Sequence, residues 1–551
     1  MRRARRLRRL GGAVAALALG AAGCGADGAP GAPALFFEGA GPGIPAPVLG
    51  TLTRPDTPGN NLQFNFEPGD VVEFHESASG SFRVHFTREG PNAVPDADTD
   101  ASGVPDFVEQ VAGVYDEVLA FYTGELGFRA PVSDEALPDN GGDGRFDVYL
   151  VDFAGVGDGV FQVDGCSDDN PSICAGYMVQ ENDYAGYGYP SKLTANRILG
   201  SHELFHAVQA AYDRDQGSVF GEGTAVWATE QFDGTLADFE GLIDGYLNNP
   251  DHSLDLALPG PVDRFSYGAA LYFQFLEERH GGGTVRALWE RCEDGASGEA
   301  DPVWFTQIEP LLAEQAQTSF AESFVEFATW NLFTGSTADV ERSYAGGAGY
   351  PSVAVEEVPP PYSDRLRVFY ASAQYYRVRP EGRAAMTAAL VPPPDAPDAS
   401  DGLTLLLVAL QGGGYGPVTQ VADVTAGAEL LETSSAMALV AVVVNGRQEG
   451  DSRRPTLCIG DADEVAACAA EVNGGTGGGG GGGGAGGGSS GADPEEQAEG
   501  CGCRVAGAGG AGGAGGGDRT TGAAWPAWPM LAALAALASV RRYRIRRRRA
   551  A

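Results

Sequence analysis

Residues 201–209 read Ser-His-Glu-Leu-Phe-His-Ala-Val-Gln and contain the pattern His-Glu-x-x-His at His202, Glu203 and His206. On a helix, positions i and i+4 lie one above the other on one face, so both imidazoles can aim at a single point. Glu203 stands one position round, within reach of a water held at that point. Two imidazoles with a neighbouring carboxylate are the requirement of a zinc hydrolase: nitrogen ligands for Zn2+ and a general base for the water that the metal activates. The chain has only six histidines in 551 residues, so composition alone rarely produces the pattern. Ile198, Leu199, Phe205 and Val208 add an apolar stripe at helical spacing, which puts the motif on a buried helix. The competing reading is a structural histidine pair on a helix face.

The third ligand sets the subclass. The metzincin continuation would place Gly and His where this chain has Gln209 and Tyr212, which excludes it. Sixteen positions after His206 comes Glu222, within Phe-Gly-Glu-Gly-Thr-Ala-Val-Trp-Ala-Thr-Glu (220–230). Glu222-Gly223-Thr224-Ala225 resembles the Glu-Gly-x-Ala segment of gluzincin aminopeptidases, in which the glutamate binds zinc; the spacer is somewhat shorter here. His252 and Glu230 are alternative ligands without a comparable local signature. Thermolysin has an acidic residue four after its ligand glutamate, where this chain has Val226. Residues 265–276 are similar to the Tyr-x-x-Gly helix start of the same aminopeptidases, whose tyrosine stabilises the oxyanion of the transition state. Tyr267 is the matching position, against the alternative of an ordinary core tyrosine. The aminopeptidase motif Gly-x-Met-Glu-Asn, which binds a free amino terminus, is absent, and this favours an endopeptidase. Over roughly residues 80–350 the pattern resembles the predicted His-Glu-x-x-His metalloproteases of myxobacteria that carry a MYXO-CTERM sorting tail.

A second cation enters with Asp98-Thr-Asp100-Ala-Ser102-Gly103-Val104-Pro-Asp106-Phe-Val-Glu109, which fits a twelve-position calcium loop. Asp98, Asp100 and Ser102 take the first odd positions, Gly103 the turn and Val104 the carbonyl. Asp106 follows, and Glu109 is the bidentate ligand that opens the next helix. Ca2+ would clamp loops there; a solvated acidic cap is the alternative. The acidic turn 139–147 is a less regular second candidate.

The formal net charge is −38, although six arginines lie in 2–9 and seven in 541–549. The chain between them is therefore more acidic still, which repels nucleic acid and favours cations. The first 23 residues read as a signal peptide: a basic stretch, an apolar stretch from Leu10, and a small-residue end before Cys24, itself a candidate for lipidation. Export permits disulfides, and Cys166 with Cys174 and Cys458 with Cys468 are the expected pairs, leaving Cys292 buried. At the other end, Gly-Cys-Gly-Cys (500–503), an apolar stretch from Gly522 and the arginine cluster resemble the MYXO-CTERM tail. That resemblance implies removal by a sortase-like membrane protease, with the C-terminal helix holding the chain in the membrane until then.

The elements needed to carry these residues follow from periodicity. Strands are expected near 71–74, 81–86 and 146–153, and helices over 106–123, 195–212, 222–232, 267–279 and 319–332. After about residue 355, apolar runs at 366–378, 403–410 and 437–444 replace helical periods, as in a β-sandwich. The expected organisation is a signal peptide (1–23), a linker or short propeptide (24–70) and an α+β zincin-like metallopeptidase domain (71–352). A β-sandwich domain (353–472), a glycine-rich linker with its cysteine motif (473–521) and a transmembrane helix with arginine cluster (522–549) complete it. The functional expectation is an exported, surface-anchored zinc metallopeptidase acting on a protein or peptide substrate. An adhesin with a structural or degenerate zinc site, or a zinc hydrolase of a non-peptide bond, are the alternatives.

Overall fold

The computed structural model describes residues 54–474, apart from 61, 259–262, 297 and 431–435. The expected signal peptide, the glycine-rich linker beyond 474 and the transmembrane segment lie outside the described residues. Among those described, no helix is long and apolar enough to cross a membrane.

The chain folds as mixed α+β. Its first sheet comprises β1 (Glu73–Glu76), β2 (Phe82–Phe86), β3 (Phe146–Val151), β4 (Gly159–Cys166) and β5 (Cys174–Glu181) in the order β1-β2-β3-β5-β4. β2, β3 and β5 run parallel, while the edge strands β1 and β4 are antiparallel to their neighbours. Alternation at period two splits the side chains between two faces. Phe82, Val84, Val148, Leu150 and Met178 join the helical core, and Tyr149, Val151, Val160, Tyr177 and Val179 form a separate cluster on the other face.

That outer face is covered by the chain that enters the sheet, a stretch read from composition as linker or propeptide. Phe64 stacks on Phe153 with ring centroids 3.8 Å apart, and Phe66 packs edge-on to Tyr149. Arg54 is fully buried and paired with Asp134, Asp147 and Asp164. The acidic turn 139–147 is neutralised by arginine: Asp143 pairs with Arg83 and Arg145, and Asp147 with Arg54.

Helix α1 (Asp106–Ala120) packs on the inner face and ends in a π-turn at Phe121–Glu125. The loop after β5 leads to α2 (Lys192–Gln209), which Ser191 caps by accepting the Thr194 N–H. α2 is buried along most of its length and lies between the sheet, α1 and α3 (Ser218–Asp233). α4 (Asp238–Leu242) and α5 (Asp244–Leu247) follow α3, and the single helix expected over 267–279 is two, α6 (Arg264–Gly268) and, after a turn at Ala269, α7 (Ala270–His280). The break lets α6 cross α5 closely, for a Cβ on Gly268 would lie 2.3 Å from the Tyr246 nitrogen. Helices α8 (Thr284–Cys292), α9 (Trp304–Gln315) and α10 (Phe320–Leu332) complete the layer.

The C-terminal third is β-rich. β6 (Glu356–Val358), β8 (Ser372–Val378), β10 (Leu403–Gln411), β11 (Gly414–Tyr415), β12 (Thr419–Gln420) and β14 (Ala438–Asn445) form one sheet. β7 (Tyr362–Arg365), β9 (Met386–Val391), β13 (Ala428–Leu430) and β15 (Thr456–Gly460) form another, followed by α11 (Ala462–Val472). The run 366–378 is not one strand, because Ala371 adopts a left-handed φ of 44° before β8 begins. Leu405, Leu407, Ala441 and Val443 face the second sheet, whereas Leu406, Val408, Val440 and Val442 join the helical core. Cys166–Cys174 and Cys458–Cys468 are disulfides, and Cys292 is a buried thiol.

Candidate metal centre

His202, Glu203 and His206 lie in the C-terminal half of α2, the first two buried and His206 partly exposed in the last turn, and Glu222 comes from the first half of α3. The two helices are held in register by side chains off the site. Ser201 Oγ lies 3.0 Å from Thr229 Oγ1, and the Ser201 carbonyl accepts the Tyr122 hydroxyl at 2.7 Å from the π-turn. A Cβ on Gly223 would sit 2.7 Å from the Phe273 ring and 3.2 Å from the Ser266 carbonyl, so glycine beside Glu222 lets α3 approach α6 and α7.

Three ligand-type atoms converge. His202 Nε2 lies 3.2 Å from His206 Nε2 and 3.2 Å from Glu222 Oε2, and His206 Nε2 lies 3.5 Å from Glu222 Oε2. A tetrahedral zinc with bonds of about 2.0–2.1 Å spaces its ligands roughly 3.3 Å apart. The donor set and its spacing therefore fit Zn2+. Glu203 also offers an oxygen within 4.8 Å of the imidazoles. Its Oε2, however, accepts the Phe161 N–H of edge strand β4 at 2.9 Å, whereas Glu222 contacts both rings, so Glu222 is the better third ligand. His252 gives its Nε2 to the Leu256 carbonyl at 2.6 Å.

Burial dominates the electrostatics. It raises the Glu203 carboxyl to about 7, with Glu222 adding repulsion against the pull of His206. It lowers His202 to about 4. Burial also opposes charge on His206 and Glu222, but their mutual attraction wins: His206 rises to about 9 and Glu222 falls to about 2.

Tyr267, on α6, reaches the same place. Its ring lies 5.9 Å from that of His202, and its hydroxyl hydrogen-bonds Glu222. Gln209, used above only to exclude a subclass, has a role that the motif did not announce. Its Oε1 lies 2.8 Å from His206 Nδ1, and its Nε2 donates to the Gly221 carbonyl at 2.7 Å and to Thr224 Oγ1 at 3.0 Å. Accepting from Nδ1–H fixes the tautomer that leaves Nε2 free for a metal. The signal was its i+3 spacing from His206. Phe161 contributes only a backbone group, for which a sequence carries no sign.

In the candidate calcium loop, Asp98, Asp100 and Asp106 place carboxylate oxygens within 4.8 Å of one another. Asp98 accepts the Ser102 and Gly103 N–H groups at 3.1 and 3.0 Å, and the Ser102 hydroxyl donates to the Val104 carbonyl. Glu109 lies in the first turn of α1 and is not part of that carboxylate group. No protein family matches the chain, and no curated protein is similar to it in sequence.

Proposed function

We propose that the protein is an exported zinc metallopeptidase of gluzincin type. The observation that supports this most is the convergence of His202 Nε2, His206 Nε2 and Glu222 Oε2 at 3.2–3.5 Å beside a buried carboxylate that is not one of the three. His202, His206 and Glu222 would hold the zinc, with Gln209 orienting His206. When bound, zinc supplies Lewis-acid polarisation of a water and of the scissile carbonyl. Glu203 would take a proton from the attacking water and pass it to the leaving amine. Burial, which raises its carboxyl above the ordinary range, suits it to carrying a proton between the two. The Phe161 N–H holds one of its oxygens in place and leaves the other for the proton. Tyr267 would turn its hydroxyl from Glu222 to the oxyanion.

A peptide substrate suits a site beside the edge strand β4, since an extended chain can add to a sheet edge. A zincin-like fold is the corresponding reading of the sheet and the two helices. A structural Ca2+ held by Asp98, Asp100 and Asp106 suits an acidic exported protein, as do the two disulfides. Anchoring and release through the C-terminal tail remain part of this reading.

Glu203→Gln tests it. Zinc content by elemental analysis should match the wild type while cleavage of a mixed peptide library disappears. Retained turnover would remove Glu203 as the base, and a wild type that binds zinc yet cleaves nothing would favour a binding protein.

A further inference from the structure

Arg54 lies in the strap that covers the outer sheet face, and its guanidinium is used on every nitrogen. Nη1 donates to Asp147 and to Tyr149 Oη, Nη2 to Asp134 and Asp164, and Nε to the Asp139 carbonyl at 3.1 Å. The group also lies over the Tyr177 ring, 5.1 Å from its centroid. Asp147 and Tyr149 are on β3, Tyr177 is on β5 and Asp164 is on β4. One side chain therefore ties together three neighbouring strands.

The tie to β4 falls at a specific place. Val163 pairs with Gly176 and Gly165 with Ala175, which leaves Asp164 as the extra residue of a β-bulge. Bulges fix register and re-aim an edge strand, and a one-residue slip would turn every side chain and amide of that strand the other way. Three residues before Asp164 is Phe161, whose N–H holds Glu203 at 2.9 Å. Among the described residues β4 is at the sheet edge and pairs only with β5.

We propose that Arg54 is a positioning residue for the hydrolytic site: by anchoring the Asp164 bulge it sets the register of β4, and hence the amide that holds Glu203. The strap is then a permanent part of the mature protein, and any N-terminal processing falls before Arg54. This rests on the metallopeptidase reading for its catalytic consequence, but not for its structural one.

The test uses the full chain with zinc and the variants Arg54→Lys and Asp164→Asn. Lysine keeps the charge but cannot reach Asp134, Asp147 and Asp164 together. Hydrogen exchange of the amides 159–163 should quicken in both variants while that of α2 stays as in the wild type, and zinc content should be unchanged. With peptide substrates kcat should fall about tenfold to a hundredfold, the scale of a misplaced catalytic group, with KM little changed. Native exchange across β4, or kcat within about twofold of wild type, overturns the proposal. Asp164→Asn decides the matter should Arg54→Lys fail to fold. A wild type inert on all peptides would defeat the metallopeptidase reading alone, because exchange would still show whether Arg54 fixes β4. A mature amino terminus beyond residue 54, read by mass spectrometry, would overturn the retention of the strap.

Discussion

The site is built from side chains that each need a partner of their own. Gln209 shows this most plainly, since it joins His206 to Gly221 and Thr224 across two helices. Gln209→Ala should weaken zinc binding by roughly 10–100-fold, as for other partners of ligating histidines, in competition with a chromophoric chelator. Tyr267→Phe should keep zinc and lower kcat by roughly 10²–10³-fold, the cost of one oxyanion donor. A loss confined to KM would make Tyr267 a substrate contact instead. The histidines and Glu203 were legible because their chemistry lies in local spacing, and Glu222 because its neighbours resemble a known segment. Gln209 and the Phe161 amide were not, because what a polar group bonds to is set by the packing of helices and strands distant in sequence. Arg54 was hidden for the same reason: an isolated arginine in a Pro- and Gly-rich stretch gives no hint of the carboxylates it meets.

Elements with strong periodicity lie where the sequence places them, notably α1, α2, α10, β10 and β14. The departures have physical causes. β4 and β5 show no strand alternation in the sequence, because glycines and the Asp164 bulge interrupt it. The helix expected over 267–279 is broken where Gly268 must touch the α5 backbone. Close approach also governs α3. Gly223→Val should therefore force α3 away from Phe273 and Ser266 and cost about 1–3 kcal/mol in chemical denaturation, typical of overpacking. Its zinc affinity should fall with it, because Glu222 is the adjacent residue. At the entry to α1, Ca2+ should raise the thermal midpoint of the wild type but not of Asp98→Asn. Saturation at a hundred times the dissociation constant corresponds to about 2.7 kcal/mol. Equal shifts in the two proteins would leave the acidic loop as a solvated cap.

Over the whole molecule, buried acids make stability depend on pH. Burial lifts Asp134, Asp158 and Asp213 to about 6 and Glu181 to about 7. Between the ordinary carboxyl range and these values, the folded state holds protons that the unfolded chain has released. Stability from these groups is therefore full at low pH and is lost as pH rises through 6 to 7. His202, lowered to about 4 by burial, opposes this as one group against four. In EDTA the thermal midpoint should be higher at pH 5.5 than at pH 7.5, and the reverse order would mean that these carboxyls are solvated. The core has a different consequence. Val440, Val442 and Val444 of β14 pack in the same cluster as Phe320, Phe324 and Phe327 of α10, and the Tyr375 hydroxyl bonds the Ala328 carbonyl at 2.9 Å. A chain emerges from the ribosome amino end first. The apolar face of α10 is thus completed only when β14, ending at residue 445, packs against it.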